Sequence, residues 1–120
     1  MILDNYEEFE LDGKKYRLKY NNRAVIRAEK EMSVKVYQIV DNLKKDILPD
    51  YNDILILFKY GLIEGTPDPA GWTDEAVGDI FDQAVYEYAL AQVIALCSKA
   101  LRTAGVLEIK PKKILAALKA

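Results

Sequence analysis

The stretch YNDILILFKYGLIEG, residues 51–65, constrains this chain more than any other. Its apolar residues fall on almost every side of a helix instead of along one stripe. A helix of that kind is normally the buried centre of a bundle, because it has no wet face to turn outward. A strand through ILILF is the competing reading, since a short apolar run carries no period of its own. The length of the flanking sequence and the stop offered by Gly65 favour the helix. Pro49-Asp50 supplies the turn before it. Everything else has to cover this segment.

The N-terminus offers a cover of a different kind. Asp12-Gly13 is a strong two-residue turn signal, because a type I′ turn needs positive φ at both central positions. Pairing outward from it sets Glu10 opposite Lys15 and Glu8 opposite Arg17 on one face. The other face receives Phe9 opposite Tyr16, with Leu11 and Leu18 alongside. Each such pair contributes about 0.2–1 kcal/mol. An isolated hairpin is marginal in water, so the face carrying Phe9, Tyr16 and Leu18 should lie on helices. The cations Lys14, Lys15, Arg17 and Lys19 with Tyr16 and Tyr20 could form a nucleic-acid stripe. A charged edge that resists sheet-to-sheet pairing explains them better, and Glu7, Glu8 and Glu10 largely cancel their field.

Helices account for the remainder. Asn21 or Asn22 can cap one running to about Met32, with Val25, Ala28 and Met32 at helical spacing. Ser33 can cap a second, in which Val36, Ile39, Val40 and Leu43 form one face and Lys44, Lys45 and Asp46 the frayed end. GTPDPAGW, residues 65–72, is the Pro/Gly-rich loop, and Thr73 caps the segment DEAVGDIFDQ that follows. The longest helix is expected over residues 83–104, ended by Gly105 in the αL position. The reading is therefore mainly α with a short N-terminal β-hairpin (α+β), a small bundle of four to five helices. Residues 1–110 form one globular domain, and residues 111–120 form a tail that restarts as a short amphipathic piece.

Several function classes fall away. Lys+Arg 17 against Asp+Glu 19 is too balanced to announce a nucleic-acid or membrane-surface partner. Histidine is absent, which removes the commonest general base and the commonest metal ligand, and with them any Cys–His or Ser–His pair. The single cysteine, Cys97, rules out an internal disulfide and suits a reducing cytosol. MILDNYEEFE turns acidic where a signal peptide needs a basic start and an apolar run. The weakly charged run between Glu87 and Lys99 is far short of the ~20 residues that cross a bilayer.

Candidate sites are few. Glu75, Asp79 and Asp82 share one helix face, but nothing else completes a coordination shell, and acidic residues near a helix start suit its macrodipole. No metal or cofactor is expected. Cys97, within VIALCSKAL, reads as a buried small hydrophobe and not as a nucleophile. Gly61, Gly65 and Gly71 are too dispersed to cradle a phosphate. Trp72 and the eight tyrosines read as packing residues or, where partly exposed, as interface anchors. The sequence argues against an enzyme.

The order of parts resembles a known family. An F-x-L-D-G-K-x-Y-x-L hairpin leads into N-x-R-A-V-I-R-A-E-K-E-M. A short helix with V-Y-Q-I-V follows, then an apolar helix ending G-L, a Pro/Gly loop, and W-T-D-E-A-V-G-D-I-F-D. Over roughly residues 7–107 this is similar to the tail-assembly chaperones of long-tailed bacteriophages and of phage-like gene transfer agents. The resemblance implies a cytoplasmic protein of the infected host that binds the long, apolar, helical tape-measure protein. It also implies help in recruiting tail-tube protein. The alternative is a structural subunit of a phage tail or head–tail junction, and a small nucleic-acid-binding regulator is a third reading. The tail KPKKILAALKA is not part of the family pattern. Its Ile114, Leu115 and Leu118 are the candidate partner-binding residues, able to dock on a client or a second copy with Lys112, Lys113 and Lys119 left in water. A homo-oligomer would result from the second.

Phe58 and Leu62, one turn apart, should be core residues. Phe58→Ala is expected to cost about 3–5 kcal/mol in a denaturant melt, against the ~5–15 kcal/mol that holds a small domain folded.

Overall fold

Positive φ at Asp12 (49°) and Gly13 (77°) closes the expected tight turn, and the chain around it pairs as its charges and aromatics dictate. The computed structural model describes residues 5–105. Strands β1 (Tyr6–Leu11) and β2 (Lys14–Lys19) form an antiparallel ribbon with Glu8 opposite Arg17, Phe9 opposite Tyr16 and Glu10 opposite Lys15. Five helices follow among these residues: α1 (Asn22–Glu31), α2 (Val36–Lys44), α3 (Tyr51–Gly65), α4 (Asp74–Tyr88) and α5 (Leu90–Thr103). The expected α+β class, a ribbon on a helical bundle, is the fold observed. On the wet face Glu8 takes both neighbouring cations, Lys15 at 3.7 Å and Arg17 at 3.6 Å. Tyr16 and Tyr20 are buried, so neither is free to stack on a base.

Helix α3 is central, as its composition requires. Ile54, Ile56, Leu57, Phe58 and Leu62 are all buried on it. Phe58 lies between Phe9 of the ribbon, 5.8 Å away, and Phe81 of α4, 5.4 Å away edge-on. These rings carry one continuous apolar cluster through the domain.

The ribbon reaches α3 because two glycines let it. A β-carbon on Gly65 would lie 2.2 Å from the Arg17 carbonyl oxygen, and one on Gly61 would lie 2.6 Å from the Tyr20 ring. Strand β2 therefore runs against bare helix backbone. The Thr66 hydroxyl then satisfies Arg17 on the open edge of β2: it accepts from the Arg17 N–H at 2.7 Å and donates to the Arg17 carbonyl at 3.0 Å. Tyr20 donates its hydroxyl to the Leu57 carbonyl at 2.7 Å. Gly65 is thus the last residue of α3, kept small by the strand beside it, and not a left-handed stop.

Caps on α1 and α4 are those expected: Asn21 accepts from the Ala24 N–H at 2.8 Å, and Thr73 from the Ala76 N–H at 3.1 Å. Three local readings are corrected. Ser33 does not cap α2. Its N–H and hydroxyl both donate to buried Asp53 of α3, at 3.0 and 2.7 Å, while Lys35 stands at the cap position. The first N–H of α2, on Val36, goes to Glu29 at 2.8 Å.

The end of α2 is not frayed either. Asp46 at φ 60° donates its N–H to the Leu43 carbonyl, and Ile47 donates to Asn42, the paired bonds of a Schellman stop. Last, the expected helix over residues 83–104 is two helices, because α4 continues to Tyr88 and the chain bends at Ala89 with φ 72°. Gly105 ends α5 at φ 70°, as expected. Residues 111–120, with Ile114, Leu115 and Leu118, lie outside the described residues. No helix among the described residues is long and apolar enough to cross a membrane.

Glycine-to-alanine changes at two helical sites should have opposite signs. Gly65→Ala must push β2 off α3 and is expected to lose about 2–3 kcal/mol or more in urea melts. Gly78, whose β-carbon would meet nothing, should gain about 0.5–1 kcal/mol as alanine.

Candidate functional site

The link between α2 and α3 exposes apolar side chains that a folded chain would ordinarily cover. The Schellman stop fixes the chain direction after Asp46, and Pro49 with the extended Asp50 starts α3. Between and just beyond them Ile47 is 49%, Leu48 60% and Tyr51 67% exposed. Tyr37, near the start of α2, is 53% exposed. A Schellman stop usually packs its outgoing apolar residue on the helix positions five or six residues back. Those positions hold Asn42 and Asp41 here, so the apolar contact usual at such a stop has no apolar residue to receive it. Charges rim the surface: Lys44, Lys45 and Asp46 are exposed, and Lys45 pairs with Asp41 at 3.3 Å.

Helix α2 itself is held more by polar bonds at its start than by deep packing. Val36 and Ile39 are its buried residues, with Val40 and Leu43 partly covered. Asp53, 2% exposed, is the buried carboxylate that secures the α1–α2 link through Ser33. Its position in the first turn of α3 also suits the helix macrodipole.

One other depression is chemically committed. A groove of about 430 Å³ beside α3 contains Lys59, which bridges Asp74 at 2.8 Å and Glu31 at 3.6 Å. The hydrogen bond to Asp74 holds this ammonium above the usual lysine range, partial burial working against it. Tyr60 donates to the same Glu31. A smaller, mostly apolar cavity, about 200 Å³, lies between the ribbon and the α4–α5 bend, lined by Phe9, Ala84, Tyr88, Val93 and Leu96 with Glu8 and Gln92.

The residues read as possible chemistry from sequence do not converge. Glu75, Asp79 and Asp82 are exposed along α4, and no group of His, Cys, Asp or Glu among the described residues is placed to hold a metal ion. Cys97 is sealed under Tyr20, and burial pushes its thiol up from 9.0 to about 12. Burial likewise raises the Tyr20 hydroxyl well above its ordinary value. The surface at residues 47–51 was not singled out by sequence reasoning. Its signal was present: Ile47 and Leu48 stand between a Lys-Lys-Asp helix end and a Pro-Asp helix start, in phase with neither helix. Comparison with known protein families, curated proteins and solved structures returns no match.

Cys97 sets a pH dependence. Its raised pKa means that the folded chain keeps the proton while the unfolded chain releases it. The stability involved is complete below pH 9 and is lost as pH rises toward about 12. The slope should be about 1.4 kcal/mol per pH unit above pH 9, steepening above pH 10.0 as Tyr20 joins. Urea melts of Cys97→Ala across pH 9–10 should lack that first slope, and native Cys97 should resist alkylation until the chain unfolds.

Proposed function

We propose that the chain is a phage tail-assembly chaperone, a binding protein and not an enzyme, working in the host cytoplasm. Its client is the apolar helical tape-measure protein, and it aids assembly of tail-tube subunits. The observation that carries this reading is the exposed apolar run of Ile47, Leu48 and Tyr51 between α2 and the start of α3. A monomer rarely leaves large apolar side chains gathered and uncovered unless something docks there. The element order that underlies the family resemblance supports it, as does the lack of histidine for acid–base work.

The physical task is reversible burial. A tape-measure helix gains ~25 cal/mol for each Å² of apolar surface taken out of water. Aliphatic and aromatic side chains on a short loop and the adjoining start of α3 can cover such a stripe in the manner of a helix laid into a groove. The charged rim of Lys44, Lys45 and Asp46 keeps the uncovered chaperone dispersed. The structural-subunit reading uses the same surface for self-assembly.

Size-exclusion chromatography separates the two. The chain alone should stay small and shift on adding tape-measure fragments; rings or tubes formed without a client would overturn the chaperone reading in favour of a structural subunit. Replacing Ile47, Leu48 and Tyr51 together by serine should weaken client binding by about tenfold or more. Stability should change little, since surface changes mostly stay within about 0.5 kcal/mol each.

A further inference from the structure

Local preference and folded form disagree most at the junction of α4 and α5. Ala89 sits at φ 72°, ψ 153°, a backbone region that glycine enters readily and other residues do not. Residues 83–104 contain no Gly or Pro and read as continuous helix. The bend is imposed from outside the segment. At about 100° per residue, Val77, Phe81 and Ala84 share one side of the helical line, and Val93, Cys97 and Ala100 fall roughly half a turn away. A straight helix could set only one of these buried stripes on this core.

A second copy removes the conflict. We propose that the chain dimerises by exchanging α5: the junction straightens through Ala89, and each α5 docks on the ribbon and α3 of the other copy. The exchanged helix buries the same Val93, Ile94, Cys97, Ala100 and Leu101 that it buries at home. It finds the same Glu7, which accepts from Thr103 at 2.8 Å and pairs with Lys99 at 3.8 Å. Helix α4 stays behind, held to its own ribbon by Gln83 on Asp12 at 2.8 Å and by Tyr88 on the Glu10 carbonyl. The pivot is therefore confined to Ala89, next to a cavity of about 200 Å³ lined in part by Ala84, Tyr88 and Val93. Exchange requires no new surface, only a hinge that prefers to be straight. This inference does not depend on the chaperone reading.

Substitutions at the pivot test it. Glycine relaxes the bend and weakens the straight helix, whereas valine, β-branched, is kept from positive φ. Light scattering of the full chain over a concentration series should therefore rank dimer formation Ala89→Val above wild type above Ala89→Gly. The dissociation constants of the extremes should differ by about tenfold or more. Equal masses for all three at every concentration would overturn the proposal. The pair Glu7→Cys and Thr103→Cys then reports which chain supplies α5. After oxidation, the Ala89→Val dimer should run as a covalent dimer on a non-reducing gel; links only within single chains would overturn exchange. Should Ala89→Val fail to fold, the cysteine pair in the wild-type chain makes the same distinction at high concentration. Links between chains uphold the proposal, and links within chains alone refute it.

Discussion

The contact between β2 and the bare backbone of α3 is what the rest of the structure depends on. A helix that is apolar all round needs a lid on every side, and helices alone approach no closer than their side chains allow. Gly61 and Gly65 open one flank of α3 so that a strand can lie directly on it. That approach strands the Arg17 backbone groups at the edge of a two-stranded sheet, and the Thr66 hydroxyl, one residue beyond the helix, takes both. The edge is satisfied at Arg17 without a third strand. A mostly helical chain begins with a ribbon because the ribbon is thin enough to fit where a helix would not. Its charged outer face keeps that side of the domain in water.

Polar bonds divide into those that position and those that decorate. Lys15 and Arg17 on Glu8, or Lys45 on Asp41, are exposed pairs of the kind that contributes about 0–1 kcal/mol. Asp53 differs. Buried and acceptor-only, it is satisfied by two donors of Ser33, and removing them would leave a charge without partners in the interior. Glu29 and Asp53 together fix where α2 begins. The apolar link that leads out of α2 is thus placed by hydrogen bonds at one end and a Schellman stop at the other.

Much of this was legible in the sequence. Residues 51–65 declared a central helix by having no polar face, and Asp12-Gly13 fixed a register that the structure reproduces pair for pair. What escaped was tertiary. Gly65 reads as a stop because helices often end in glycine, yet its smallness answers to Arg17 far away in the chain. Ser33 looks like a cap because Ser is a good one, and its actual partner, Asp53, is hidden inside an apolar run. Propensity was silent at Ala89, and only the half-turn slip between the stripes around Phe81 and Cys97 marks the bend. The tail carrying Ile114, Leu115 and Leu118 lies beyond the described residues, so its part in partner binding stays a sequence expectation.

The exposed run at residues 47–51 has the same origin as those misreadings, seen from the other side. Local rules would fold Ile47 back on α2, and the backbone bonds for that stop are all present. The side chains of Asn42 and Asp41 withhold the apolar contact that usually completes it. One apolar residue in their place would give Ile47 a partner and shrink the surface. Polarity at positions 41 and 42 therefore holds the patch open, while Pro49 keeps Leu48 from joining the first turn of α3 by restricting the residue before it to extended backbone. An apolar surface that is maintained by its polar neighbours is one that residues 5–105 are not arranged to cover.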